Sequence, residues 1–257
     1  MARTALIPDI RKVHLPEARQ AIPHVHAYLR ECILDGTLTP GTKLSQVTLA
    51  EQLGISRTPL REVLRMLQEE GLVEIEPNQR TRVAGLDPQE LDDTYACRIL
   101  METLALSMTM GGFGQPCRKE ARRLLDALRR AAQKGDFGAW LAAHADYHRL
   151  ITAGAGEVLQ RQLTAFADRT IRYIRIYQLS DPNSWQAVGD IEHERILEAL
   201  IAGDEQGALT EMAHHLARTA LRVLTDCAPD YVPTAVPRAV ALIDRHPPGA
   251  PRPTSTG

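Results

Sequence analysis

The chain has 257 residues, 44% of them hydrophobic and 24% charged, with a formal net charge of -2. That length suffices for two domains that each bury a core, and the near-neutral charge excludes a polycation that coats nucleic acid with its whole surface. Aromatic residues make up only 4%, and glycine is scarce inside the predicted helices, which favours an aliphatic, helical interior over a β sandwich.

Residues 1–20 are charged and weakly periodic and are expected to form a flexible arm. From Pro23 a helix runs through Tyr28, Leu29, Cys32 and Ile33 and stops at Asp35-Gly36. The stretch Leu44 to Val73 reads as two helices joined by a tight turn. Ser45 is placed as N-cap of the first, Gly54 closes it, and Ser56 caps the second. Pro59 falls in the first turn of that second helix, where a missing N–H costs little. Leu49, Ala50 and Leu53, then Leu60, Val63, Leu64 and Leu67, repeat at helical spacing, which leaves Ser56, Arg57, Thr58 and Arg61 on the open side. This is the layout of a helix-turn-helix, whose second helix enters the DNA major groove by its N-terminal end. Between residues 21 and 85 seven Lys/Arg face eight Asp/Glu, so a DNA reading rests on local charge: Arg57, Arg61 and Arg65 at i, i+4 and i+8. The alternative for that row is a solvated arginine face. After Gly71 the pattern turns to period two, breaks at Pro77-Asn78 and returns over Thr81 to Val83, predicting a two-stranded wing with Arg80 and Arg82 on it.

Asp87-Pro88-Gln89-Glu90 reads as a capping box and sets a boundary, giving a winged unit over 21–86 and a second domain over 87–228. The second domain reads as six helices with no strand-like alternation between them, hence a mainly α chain with an antiparallel helical bundle at its C-terminal side. The tail over 229–257 carries seven prolines in 29 residues, a composition expected to stay disordered, with Arg238 to Asp244 able to form one or two amphipathic turns.

Nine histidines are present. His144 and His148 leave one helix face a turn apart, while His193 and His215 lie at similar depth on either side of a turn at Ala202-Gly203-Asp204. Three inward helices then bring four imidazoles together, the donor set of zinc, nickel or a similar divalent ion. Taken singly, each histidine has a plainer reading as a hydrogen-bonded core or surface side chain, and His214 is read as an exposed polar residue.

Two families are visible in these residues. The segment PGTKLSQVTLAEQLGISRTPLREVLRMLQEEGLVEIEPN resembles the winged-helix domain of GntR-type bacterial repressors through Pro40-Gly41, Leu49-Ala50, Leu53-Gly54, Ser56-Arg57-Thr58-Pro59, Arg61-Glu62 and Glu70-Gly71-Leu72-Val73. It departs at Val47, where the family often has arginine, and at Asn78 to Arg80, where a glycine is usual. The second half is similar to the FCD ligand-binding domain of the FadR subfamily, through Tyr147-His148, Glu192-His193 and His215-Leu216. His144 stands where an aspartate is usual. The resemblance implies a metal held by His144, His148, His193 and His215. It also implies that Arg98, one turn from Glu102, helps hold a small carboxylate that touches the metal, with Arg172 and Arg175 as weaker candidates. An intrahelical Arg98–Glu102 pair is the structural alternative.

The expected function is a DNA-binding transcriptional repressor acting as a homodimer on an inverted-repeat operator in double-stranded DNA. Arg57 and Arg61 read bases or phosphates, and Ser45, Ser56, Thr58, Arg80 and Arg82 fix position. Alternatives are an acyl-CoA-responsive form without metal, a direct metal sensor, and a metal hydrolase. Ala145 follows His144, so the general-base glutamate of His-Glu-x-x-His is missing and the hydrolase is disfavoured. No apolar run reaches the roughly 20 residues of a membrane span, no signal-peptide core is present, and Cys32, Cys97, Cys117 and Cys227 form no CxxC. The expected setting is the cytoplasm.

Overall fold

The computed structural model describes residues 21–34, 36–76, 80–85, 87–180 and 182–244, without the side chains at 21, 76, 80, 172, 175–180 and 182–188. The expected 1–20 arm, the Pro77-Asn78 turn, the end of the tail and the side chains of Arg80, Arg172 and Arg175 lie outside the described residues. The chain divides into two units at Asp87/Pro88.

The first unit is built from α1 (Ala21–Leu34), β1 (Lys43–Leu44), α2 (Gln46–Leu53), α3 (Arg57–Glu69), β2 (Val73–Glu76) and β3 (Arg80–Val83). Leu29, Leu49, Leu53, Leu60, Leu64 and Leu67 are fully or almost fully buried between the three helices. These include the leucines whose spacing predicts α2 and α3. The Ser45 hydroxyl accepts from the Thr48 amide at 3.3 Å, and Gly54 ends α2 at φ 70°, a conformation glycine adopts without Cβ strain. Ser56 differs from expectation. It holds the extended backbone of an N-cap, but its side chain makes no cap bond. The third helical residue is Pro59, so one of the two amide donors an N-cap side chain can use is missing. The wing is three-stranded, in the order β1-β3-β2, rather than two-stranded. The extra strand is two residues long, too short for alternation to show in sequence.

The second unit contains α4 (Pro88–Met110), α5 (Gln115–Gln133), α6 (Phe137–Ile151), α7 (Glu157–Ser180), α8 (Pro182–Ala202), α9 (Glu205–Cys227) and α10 (Ala235–Asp244). Asp136 and Asp204 cap α6 and α9 by accepting from the Ala139 and Gly207 amides at 2.9 and 3.0 Å. Helix α6 ends against α4. A Cβ on Gly154 would lie inside the Met108 carbonyl, while the Gly154 amide donates to Thr109 Oγ1 at 2.9 Å. Leu100 is 41% exposed; together with Leu104 and Met108 it forms an apolar stripe along α4.

Helix α10 corrects the expectation of disorder before Arg238, and the amphipathic turns read over Arg238 to Asp244 are part of it. The buried Asp92 carboxylate of α4 accepts from the amides of Thr234, Ala235 and Val236 at 2.8 to 2.9 Å and from the Tyr231 hydroxyl at 3.1 Å. An anion at a helix N-terminus satisfies amides that have no intrahelical acceptor. Val236 and Ala239 are buried, and Pro237 falls in the first turn, where it is tolerated. The far end is tied by Gln206 donating to the Ile243 carbonyl, and His214 Nε2 lies 3.4 Å from Asp244 Oδ2. The docked start of this helix is not legible from spacing, because its anchor, Asp92, is 142 residues upstream of Thr234.

Candidate functional site: a four-histidine centre and an exposed arginine helix

In the bundle, α6 supplies His144 and His148, α8 supplies His193 and α9 supplies His215. All four are buried, and one ring nitrogen from each lies within 4.8 Å of every other. Four nitrogens about 2.0 to 2.1 Å from one tetrahedral ion stand about 3.4 Å apart, so a small inward adjustment of side chains closes the set. Nε2 of His148 and Nε2 of His193 are buried without a hydrogen-bond partner among the described residues. Buried polar atoms are rarely left this way, and two such nitrogens facing one point fit a metal ion.

The opposite edges of three rings are anchored. His148 Nδ1 bonds Glu102 Oε2 at 2.9 Å, and His215 Nδ1 bonds Glu192 Oε2 at 2.9 Å. The His193 ring bonds the backbone of Gly189, and the Tyr147 hydroxyl donates to the His193 carbonyl at 2.8 Å. A carboxylate behind an imidazole fixes the tautomer that leaves Nε2 free to ligate. Each carboxylate is itself held by an arginine. Arg98 Nε donates to Glu102 at 2.8 Å, with its Nη1 on Thr170, and Arg218 grips Glu192 with two bonds of 2.5 and 2.6 Å. Burial alone would raise the Glu102 carboxyl, but Arg98 and His148 together hold it down at about 2. Glu192 is likewise kept below the ordinary range against the effect of burial. Burial, followed by the mutual repulsion of neighbouring cations, pushes His144 and His193 well down, so both are neutral donors at neutral pH. His215 is lowered by burial against the opposing pull of Glu192.

Empty space adjoins the centre on two sides. One pocket is bordered by Arg98, Trp140, His144 and Arg218, and another by Arg98, Glu102, His148 and Gln160. Arg98 and His144 border both. Sequence spacing brings out the four histidines and the Arg98–Glu102 pair. It does not bring out Arg218 or Thr170, nor that Glu192, next to His193 in the chain, backs His215 on the other helix. The pair His215/Arg218, one turn apart on α9, was the available signal.

In the winged unit, Ser45, Ser56, Arg57, Thr58 and Arg61 are exposed at the start of α2 and α3. Arg57 makes no ion pair among the described residues, whereas Arg61 Nε reaches Gln46 Oε1 at a long 3.4 Å. Arg65, third in the row, is occupied by Glu62 at 2.8 Å and Glu69 at 2.5 Å. Arg82 pairs across the wing with Glu74 at 2.7 Å, both about half exposed. Such pairs are worth about 0 to 1 kcal/mol.

Residues 22–83 match the family model of bacterial regulatory proteins, gntR family, and residues 93–218 match the FCD domain. An HTH-type transcriptional regulator from an unstable DNA locus of Streptomyces ambofaciens is 32% identical over 199 residues, 75% of this chain and 80% of that protein. The chain belongs to the GntR family of transcription regulators. The HTH-type transcriptional repressor GlaR of Escherichia coli K12 is 28% identical to this GntR regulator over 199 residues, 74% of this chain and 90% of that one. The solved structure of E. coli McbR/YncC has the same fold at TM-score 0.66 and 23% identity, covering 80% of this chain and 98% of that one. The matched domains and relatives of this GntR regulator are transcription regulators, not enzymes. No helix among the described residues is long and apolar enough to cross a membrane.

Proposed function

We propose that this GntR regulator is a repressor of the FadR subfamily. In this reading a small organic acid, bound beside a divalent metal in the FCD domain, controls its affinity for an inverted-repeat operator. The observation that carries it is the pair of orphaned Nε2 atoms, on His148 and His193, within a set of four buried imidazoles. His144, His148, His193 and His215 hold the ion, with zinc or nickel suiting an all-imidazole set. When bound, the ion supplies a Lewis-acid centre for a carboxylate. Arg98 borders both cavities and offers its guanidinium to the same carboxylate, and Arg172 is a further candidate from α7.

Arg57 and Arg61 contact base edges or phosphates, while Ser45, Ser56, Thr58, Arg80 and Arg82 fix the register on the duplex. Two copies present two recognition helices. The exposed stripe Leu100, Leu104 and Met108 on α4 supports association with a second copy, since apolar patches of this kind mark interaction sites. The protein works where its DNA is, in the cytoplasm. An acyl-CoA form is disfavoured because four buried imidazoles solvate a cation, not an acyl chain. Effector binding shifts operator affinity only as far as it distinguishes the two orientations of the winged units. Gel-shift assays against genomic fragments test this reading: a shifted fragment whose affinity changes on chelation supports it, and absence of any shifted fragment refutes it.

A further inference from the structure

Three of the four imidazoles have a hydrogen-bond acceptor behind the ring: Glu102 for His148, Glu192 for His215 and the Gly189 backbone for His193. His144 has none among the described residues. Its described neighbours are rings: Trp140 stacked at 4.6 Å with an interplanar angle of 23°, and the other histidines at 4.4 to 6.4 Å. A stacked indole fixes the plane of an imidazole but neither its tautomer nor its rotation within that plane. Ligating histidines almost always donate their second N–H to an acceptor, which raises ligand basicity. His144 lacks this support and is also the ring that borders both cavities.

We propose that His144 is the exchangeable member of the set: the ring that gives way when a carboxylate enters, while His148, His193 and His215 keep their places. The proposal rests on the metal reading above. The exchange balances without redox or proton transfer. One nitrogen lone pair leaves the ion, one carboxylate oxygen lone pair replaces it, and the coordination number is unchanged. Charge favours the exchange. Four neutral imidazoles leave the double charge of the ion uncompensated, because Glu102 and Glu192 are already neutralised by Arg98 and Arg218. In a buried site of low dielectric an anionic ligand relieves this more than a neutral one does. Arg98 stands beside His144 in both cavities, so a carboxylate entering from either meets the guanidinium next to the ring it displaces.

The test uses the full-length protein loaded with Co²⁺, with acetate as the carboxylate probe. His144→Ala should keep Co²⁺ affinity within about tenfold of wild type, whereas His148→Ala should lose about a hundredfold or more, a spread on the scale of supporting-shell losses. Acetate, followed in the visible Co²⁺ spectrum, should bind His144→Ala several-fold more tightly than wild type, since no ring has to leave. A folded His144→Ala protein that loses Co²⁺ as fully as His148→Ala, or that binds acetate more weakly than wild type, overturns the inference. If that variant does not fold, ¹⁵N-histidine spectra of the Zn²⁺-loaded wild type decide. Acetate should release the His144 nitrogen alone, and release of another ring or of none contradicts the proposal. Wild-type protein that takes up neither ion refutes the metal reading itself; uptake with the wrong order of affinities refutes only the role of His144.

Discussion

The two regions that carry the chemistry of this GntR regulator are opposites in construction. The surface proposed to meet DNA is one helix end. Ser56, Arg57, Thr58 and Arg61 lie within six residues, all exposed, on a helix whose other face buries Leu60, Leu64 and Leu67. The four-histidine centre draws on five helices, from Arg98 and Glu102 on α4 to Thr170 on α7 and Arg218 on α9, and the groups behind its rings are paired while Nε2 of His148 and of His193 are not, among the described residues. An exposed site can therefore lose a side chain without disturbing its neighbours, whereas in a buried site each deletion strands a partner.

The largest effect should come from the ligands. His148→Ala or His193→Ala should reduce bound metal in elemental analysis from about one ion per chain to background, and full occupancy in both would remove the site. Next is Glu102→Ala, which leaves Arg98 buried without its counter-charge. A loss of about 3 to 5 kcal/mol in urea unfolding is expected, and an unchanged midpoint would mean that the arginine had found water. Arg57→Ala and Arg61→Ala should each weaken operator binding by about 1 to 3 kcal/mol if their contacts to bases are bidentate, with unfolding unchanged. Arg65→Ala should do less than either, because Glu62 and Glu69 already occupy that guanidinium. If Arg65 proved the strongest of the three, the face assigned to DNA would be wrong.

The smallest effect is confined to α10. Burial acts to raise the Asp92 carboxyl, yet the amides of Ala235, Val236 and Thr234 and the Tyr231 hydroxyl hold it below its ordinary value. A folded pKa below the unfolded one contributes stability that is complete above the unfolded value, about 3.9, and is lost as the pH falls through the folded one. Amide protection in α10, relative to the intrinsic exchange rate, should fall below about pH 4 in the wild type. In Asp92→Asn it should already be low at neutral pH. Equal protection in the two proteins would show that apolar contacts alone dock the helix.

The same contrast explains what could be read from the chain. Helix periodicity, the Ser45 cap and the Gly54 stop are local, so α2, α3 and the six bundle helices are visible without coordinates. His144 and His148 are visible as a pair because one helix carries both. Pairings across long separations are not. Glu192 with His215, Arg98 with Thr170 and Asp92 with the start of α10 depend on which helices meet. Ser56 shows the limit of local rules from the other side. The residue type suits an N-cap, but Pro59 removes one of the donors it needs.

Crystals of the purified full-length protein, measured at the zinc and nickel absorption edges, test the metal centre most directly. The predicted result is one anomalous peak per chain, within ligating distance of the imidazoles of residues 144, 148, 193 and 215. A well-ordered map with the four rings in place and no peak between them, from protein purified without chelator and supplied with both metals, would contradict it.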